Sequence, residues 1–161
     1  MSDDTAAAGQ QAVTGQLAIQ KIYVKDVSFE APNSPAVFTD QLNPTADVHF
    51  ANRTTALDGE THEVVLTVTV KVSQEDRTVY LVEVQQAGIF TIRGFPAEHL
   101  GAILATACPN TLFPFAREVI CDLVMKGGFP QLLLAPVNFE ILYAQELQRR
   151  MAGGNGSTTQ Q

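Results

Sequence analysis

The clearest regularity in the chain is Val64–Val72, where Val64, Leu66, Val68, Val70 and Val72 alternate with Val65, Thr67, Thr69 and Lys71. Successive side chains of a strand point to opposite faces, so this alternation predicts a β-strand with one apolar face and one mostly polar face. Similar runs at Leu17–Phe29, Val48–Thr55 and Thr78–Ile92 bring the predicted strands to four. Asp58-Gly59 and the polar stretch Ser73–Arg77 supply short hairpin connections. The link from the first strand to the second carries Pro32, Pro35 and Pro44, which predicts a long, stiff crossover instead of a hairpin.

From Pro96 the period becomes helical. A short segment near Pro96–Ala107 is followed by a stripe of Leu112, Ala116, Val119, Ile120, Leu123 and Val124 that Gly127-Gly128 closes. A third helix is expected to begin near Pro136, with Val137, Ile141, Ala144 and Leu147 as its stripe and Gly153-Gly154 as its end. Strands first and helices afterwards indicate an α+β fold: a four-stranded antiparallel sheet followed by C-terminal helices packed on one side.

Composition narrows the picture. Residues 1–16 and 152–161 are small and polar, with too little apolar surface to offset chain entropy, so they are expected to be disordered tails around a single domain at 17–151. The net charge of −7 argues against a nucleic-acid partner, which needs clustered Lys and Arg. The start of the chain lacks the basic and apolar regions of a secretory leader, so a cytoplasmic protein is expected. The charge-free run Leu100–Ala116 is membrane-like in length, but Pro109 and Pro114 interrupt it and Thr106, Asn110 and Thr111 lie within it, where a span needs ~20 predominantly apolar residues. Cys108 and Cys121, outside any CxxC, fit reduced, partly buried thiols.

Catalytic groupings find no support. His49, His62 and His99 sit singly, and His62-Glu63 is followed by valines and leucine where a zinc protease needs a second histidine. No phosphate-binding loop, dinucleotide fingerprint or nucleophile elbow is present, and the acidic pairs Asp58/Glu60 and Glu75/Asp76 lie in predicted turns. The reading is of a protein that is not an enzyme, with no cofactor and no metal.

Two features do point to binding. In the first strand Asp26, Ser28 and Glu30 share a face opposite Lys25, Val27 and Phe29, and in the fourth Leu81, Glu83 and Gln85 oppose Tyr80, Val82, Val84 and Gln86. If the two acidic faces coincide, the sheet presents a negative platform around Leu81 that attracts a basic partner. Secondly, hydrophobic types reach 45% despite the polar tails, more than the interior of a chain this size readily takes up. The surplus calls for a neighbouring subunit or partner, at roughly 2.5 kcal/mol per ~100 Å² covered. Tyr80, Val82 and Val84 could serve a subunit interface or equally the core. Val37, Phe38, Leu42, Val48 and Phe50, spaced among prolines and polar residues, could wall a groove for extended peptide.

The words IYVKDVSFEAPNSP (22–35), YLVEVQQAGIFTIRG (80–94), CPNTLFPFAREVI (108–120) and GGFPQLLLAPVNFEILYAQ (127–145) resemble the SecB family of bacterial export chaperones, in family order across 17–151. The resemblance implies an ATP-independent chaperone of the Gram-negative cytoplasm, a homotetramer built as a dimer of dimers. It would hold unfolded preproteins by apolar segments and pass them to SecA, the motor of the Sec translocase. It implies a SecA contact at Asp26, Glu30, Leu81 and Glu83, the residues grouped above by strand period. It further implies an effect on assembly at Val82, Val84 and Gln86, and a client-binding groove that includes Leu42, Val48, Phe50 and Tyr143. Family members often carry a tryptophan in the crossover; this chain has none, and Leu42 stands at the match. The polar C-terminal tail also departs from the charged tails common in the family. A related reading on the same fold is a chaperone dedicated to a toxin–antitoxin pair.

Overall fold

The computed structural model describes residues 15–154. Its four strands, β1 (Gln16–Glu30), β2 (Thr45–Ala56), β3 (Thr61–Gln74) and β4 (Arg77–Arg93), form one antiparallel sheet in the order β1-β4-β3-β2. Three helices follow: α1 (Leu100–Ala105), α2 (Ala107–Lys126) and α3 (Phe139–Gly154). The two hairpins make β2, β3 and β4 neighbours, so the crossover at 31–44 must carry the chain from one edge of the sheet to the other.

Burial on the sheet follows the alternation. Val64, Leu66, Val68 and Val70 of β3 and Val82 and Val84 of β4 are fully buried, and directly opposite pairs such as Val70–Val82 and Val68–Val84 lie on the same inner face. α2 covers that face with Leu112, Ala116, Ile120 and Val124, all without solvent exposure. Pro109 sits in the first turn of α2, where its missing N–H has no helical partner to lose, so the helix starts at Ala107 despite it. Gly88 lets the helix come close: a Cβ there would stand 2.7 Å from the Phe90 ring and 3.0 Å from Leu112 Cδ2. At the other end of α2, Gly128 takes φ +86° and its N–H bonds the Met125 carbonyl at 3.0 Å, ending the helix. A Cβ on Gly127 would enter the Phe29 ring at 2.3 Å.

Two expectations shift. The third helix begins at Phe139 and not near Pro136, because the Asn138 side-chain oxygen accepts the Ile141 N–H at 3.1 Å and caps it there, while 129–138 runs as an irregular lead. Its stripe is not buried within the chain: Ile141, Ala144 and Leu147 are exposed, and only Phe139 is enclosed. The expected tails at 1–16 and 152–161 fall mostly outside the described residues; where they overlap them, Gln16 belongs to β1 and residues 152–154 to α3.

Since neither the Phe90 ring nor Leu112 has room to retreat, Gly88→Ala is expected to cost about 1–3 kcal/mol of stability, read as a lower urea midpoint with an unchanged slope.

Candidate functional site

The register decides whether the acidic faces meet. Glu30 pairs with Leu81, Ser28 with Glu83, and Asp26 with Gln85, so all six side chains occupy the outer face, away from α2. Asp26 and Glu30 are exposed, and Leu81 and Glu83 are half-buried. On the far side of β4, Lys71 stands opposite Leu81 and Thr69 opposite Glu83, whose carboxylate accepts the Thr69 hydroxyl at 2.9 Å. Leu81 is therefore flanked by Glu30 on one side and Lys71 on the other. The platform is acidic along β1 and β4 and mixed beyond.

One neighbour arrives by a route that alternation does not show. Val24 pairs with Gln86 but Asp26 with Gln85, leaving Lys25 as the extra residue of a β-bulge. Contrary to simple alternation, Lys25 reaches across the same outer face as Asp26, and its Nζ lies 2.7 Å from Glu63 Oε1. The Tyr23 hydroxyl donates to the other oxygen of Glu63. The Lys25 bond first, and the Tyr23 bond next, hold the Glu63 carboxyl below its ordinary range. Burial, with the adjacent carboxylate, pushes Tyr23 up to about 12. Beside the bulge, Gln86 donates through Nε2 to the Tyr23 carbonyl at 3.0 Å. Gln86 is 2% exposed, and Val82 and Val84 are fully enclosed by their own chain, so these three offer no surface to a second copy.

On the opposite side of the sheet, Val48 and Phe50 line an apolar cavity of about 400 Å³ whose other walls are the lead residues Leu134–Asn138 and Ile141 and Leu142 of α3. Phe50 is set edge-on to Phe113 and Phe139, at 6.0 and 6.1 Å between centroids. Leu42 and Tyr143 do not line this cavity. Leu42 packs on the core from the crossover, and Tyr143 lies over Gly101 of α1, its hydroxyl 3.8 Å from where a Cβ would be. Sequence reasoning missed a second aromatic group at the crossover end: the Phe129 ring is tilted against Tyr80 and Phe38, 4.9 and 5.1 Å between centroids, with Phe29 behind. Its only sequence signal is the glycine pair at 127–128, which admits the Phe29 and Phe38 rings.

The three histidines lie on different elements, and no cluster of potential metal ligands occurs among the described residues. Cys108 and Cys121 are free; burial pushes the Cys108 thiol up to about 12. No helix among the described residues is long and apolar enough to cross a membrane.

Comparison with known proteins places this geometry. The pattern of the family described as preprotein translocase subunit SecB matches residues 10–150. A protein-export protein SecB of Nitrosococcus oceani is 53% identical over 155 residues, 95% of this chain and 93% of the relative. One from Methylococcus capsulatus is 56% identical over 133 residues, 83% of this chain and 86% of the relative. Among solved structures, a SecB-like chaperone of Mycobacterium tuberculosis in complex with an antitoxin peptide superposes with a TM-score of 0.64 at 20% identity, covering 76% of this chain and 91% of that one. At that identity the likeness speaks for the fold alone.

The Glu63 shift has a sign. A carboxyl held lower in the folded than in the unfolded chain binds fewer protons when folded, so its stabilisation is complete above the unfolded value and is lost as pH falls through the folded one. Glu63→Gln is therefore expected to lower the urea midpoint at pH 7 but to flatten its decline below about pH 4.5.

Proposed function

The chain belongs to the SecB family and serves as a chaperone in preprotein export, and we propose that it does so through two surfaces on opposite sides of one sheet. Unfolded precursors are held by the apolar side, along Val48, Phe50 and the walls of their cavity, with Leu42 and Tyr143 extending the contact. SecA docks on the outer face, at Asp26, Glu30, Leu81 and Glu83. The observation that carries this reading is the β1–β4 register, which sets Asp26, Glu30 and Glu83 around one side of the half-buried Leu81, on the face of the sheet away from α2. Such an arrangement steers a basic partner and gives it one apolar anchor.

Holding is multivalent and weak at each point, which suits a chaperone that must not read sequence. Release follows from SecA docking and competition, so no catalysis or ATP hydrolysis by this chain belongs to the reading. Its place is the cytoplasm, where precursors are met before export.

The assembled form is a homotetramer, a dimer of dimers. What supports this is the apolar surface one chain leaves open: Ile19, Val24 and Val27 on edge strand β1, Phe115 and Met125 on α2, and Leu147 and Met151 on α3 are all 40% exposed or more. Val82 and Val84 influence assembly by seating α2, and Gln86 by holding the bulge that shapes the β1 edge. General export, and not a dedicated antitoxin client, is favoured by the relatives that are more than half identical over most of the chain.

Calorimetric titration separates the surfaces. Asp26→Ala/Glu83→Ala is expected to weaken SecA binding by roughly tenfold or more, most at low salt, and to leave the affinity for a denatured precursor unchanged. Val48→Asp, which sets a carboxylate at the cavity, is expected to do the reverse. Loss of both activities from either variant would count against two separate surfaces.

A further inference from the structure

The crossover at 31–44 contains one short 3-10 turn, Ala36–Thr39, and pairs with no strand. Its course is fixed by side chains of the β3–β4 hairpin. Gln74 Oε1 accepts the Asn43 N–H at 2.7 Å, and Gln74 Nε2 donates to the Gln41 carbonyl at 3.2 Å. One amide thus bonds the backbone on either side of Leu42, as a neighbouring strand would. Arg77 forms an ion pair with Asp40, and Asn33 Nδ2 donates to the Thr78 carbonyl at 2.8 Å.

A local irregularity makes this possible. Val72 pairs with Tyr80 but Ser73 with Thr78, so Val79 is an extra, buried residue in β4. Beyond it the register shifts, and Gln74 and Arg77 stand directly opposite each other with both side chains on the crossover. The Arg77–Asp40 pair is substantially exposed, at 46% and 38%, and holds the loop only weakly. The Gln74 amide is the stronger part of the clasp, because it makes two bonds to backbone that the flanking prolines already stiffen.

We propose that Gln74, with Arg77 beside it, is a positioning residue for client capture: it fixes Leu42 and with it the wall that the crossover presents to an extended apolar segment. This rests on the reading that the crossover side of the sheet holds unfolded precursors. A wall ordered in advance spares each binding event the entropy of ordering it, and that advantage appears mainly in the rate of release. Gln74 shares the inner face of β3 with Val70 and Val72, whereas the acidic platform lies on the outer face, so the effect belongs to clients and not to SecA.

The test compares wild type with Gln74→Leu, which keeps the bulk and loses both bonds. The probe is a fluorescently labelled, urea-denatured precursor, released by dilution with unlabelled chain and followed by stopped flow; SecA affinity and assembled mass are measured on the same samples. The expected result is release roughly five- to thirtyfold faster, with SecA affinity and mass unchanged and faster amide exchange at Asn43. Unchanged release from a normally assembled Gln74→Leu overturns the proposal. If Gln74→Leu does not assemble, Gln74→Glu, which keeps the acceptor for Asn43 and loses the donor to Gln41, decides by the same rates: a smaller acceleration is expected, and unchanged release overturns the proposal. Should wild type hold no precursor at all, the functional reading itself fails, an outcome distinct from equal release by both proteins.

Discussion

Everything in this molecule hangs on the burial of the β3–β4 valine face beneath α2. Val64, Leu66, Val68, Val70, Val82 and Val84 meet Leu112, Ala116, Ile120 and Val124 with no solvent left between them. Each of the valines, leucines and the isoleucine contributes on the order of 1.5–3 kcal/mol against exposure. Because the side-chain period of a strand is two, a slip of one residue would turn the whole row to water, so this contact also locks the register. The locked register in turn sets which residues appear on the other side. Leu81 and Glu83 face outward because Tyr80, Val82 and Val84 must face inward. The acidic platform is thus a by-product of core packing, and a change in the core that moved β4 would move the platform too.

Strict alternation alone would give a sheet with little individuality. Single extra residues supply it. At Lys25 the bulge brings a cation to Glu63 beside Asp26, and at Val79 it turns Gln74 and Arg77 towards the crossover. Each costs a ladder position, and each is braced locally: Gln86 bonds the Tyr23 carbonyl beside the first, and Val79 is buried at the second.

The same contrast explains what was legible in the sequence. The four strands, the α2 stripe and its glycine stop rest on local period and turn chemistry, and the chain shows them directly. The coincidence of Asp26, Glu30, Leu81 and Glu83 on one face was also legible, since it needs only parity within each strand and an antiparallel partner. Lys25 was placed on the wrong face because one inserted residue leaves no mark in a hydrophobic pattern. The start of α3 was misplaced because Pro136 suits a first-turn position, whereas the Asn138 side chain caps the helix at Phe139. The clasp at Gln74 was invisible, since a glutamine at a strand end does not announce a loop more than thirty residues earlier in the chain.

One imbalance remains to be accounted for in the single chain. α2 lies over β4 and β3 but hardly over β1, so the inward side chains Ile19, Val24 and Val27 of that edge strand stay 43–50% exposed. α3 docks through Phe139 and leaves Ile141, Leu147 and Met151 open. An edge strand with an uncovered apolar row is a template for association, and proteins that must remain solitary blunt such edges. Here the Lys25 bulge turns its charge to the outer face and leaves the inner apolar row intact. An isolated subunit would thus face water with the kind of surface it is meant to offer unfolded clients. A second copy laid on these rows, as in the tetramer proposed above, would cover part of that surface and leave the cavity at Val48 and Phe50 open to clients.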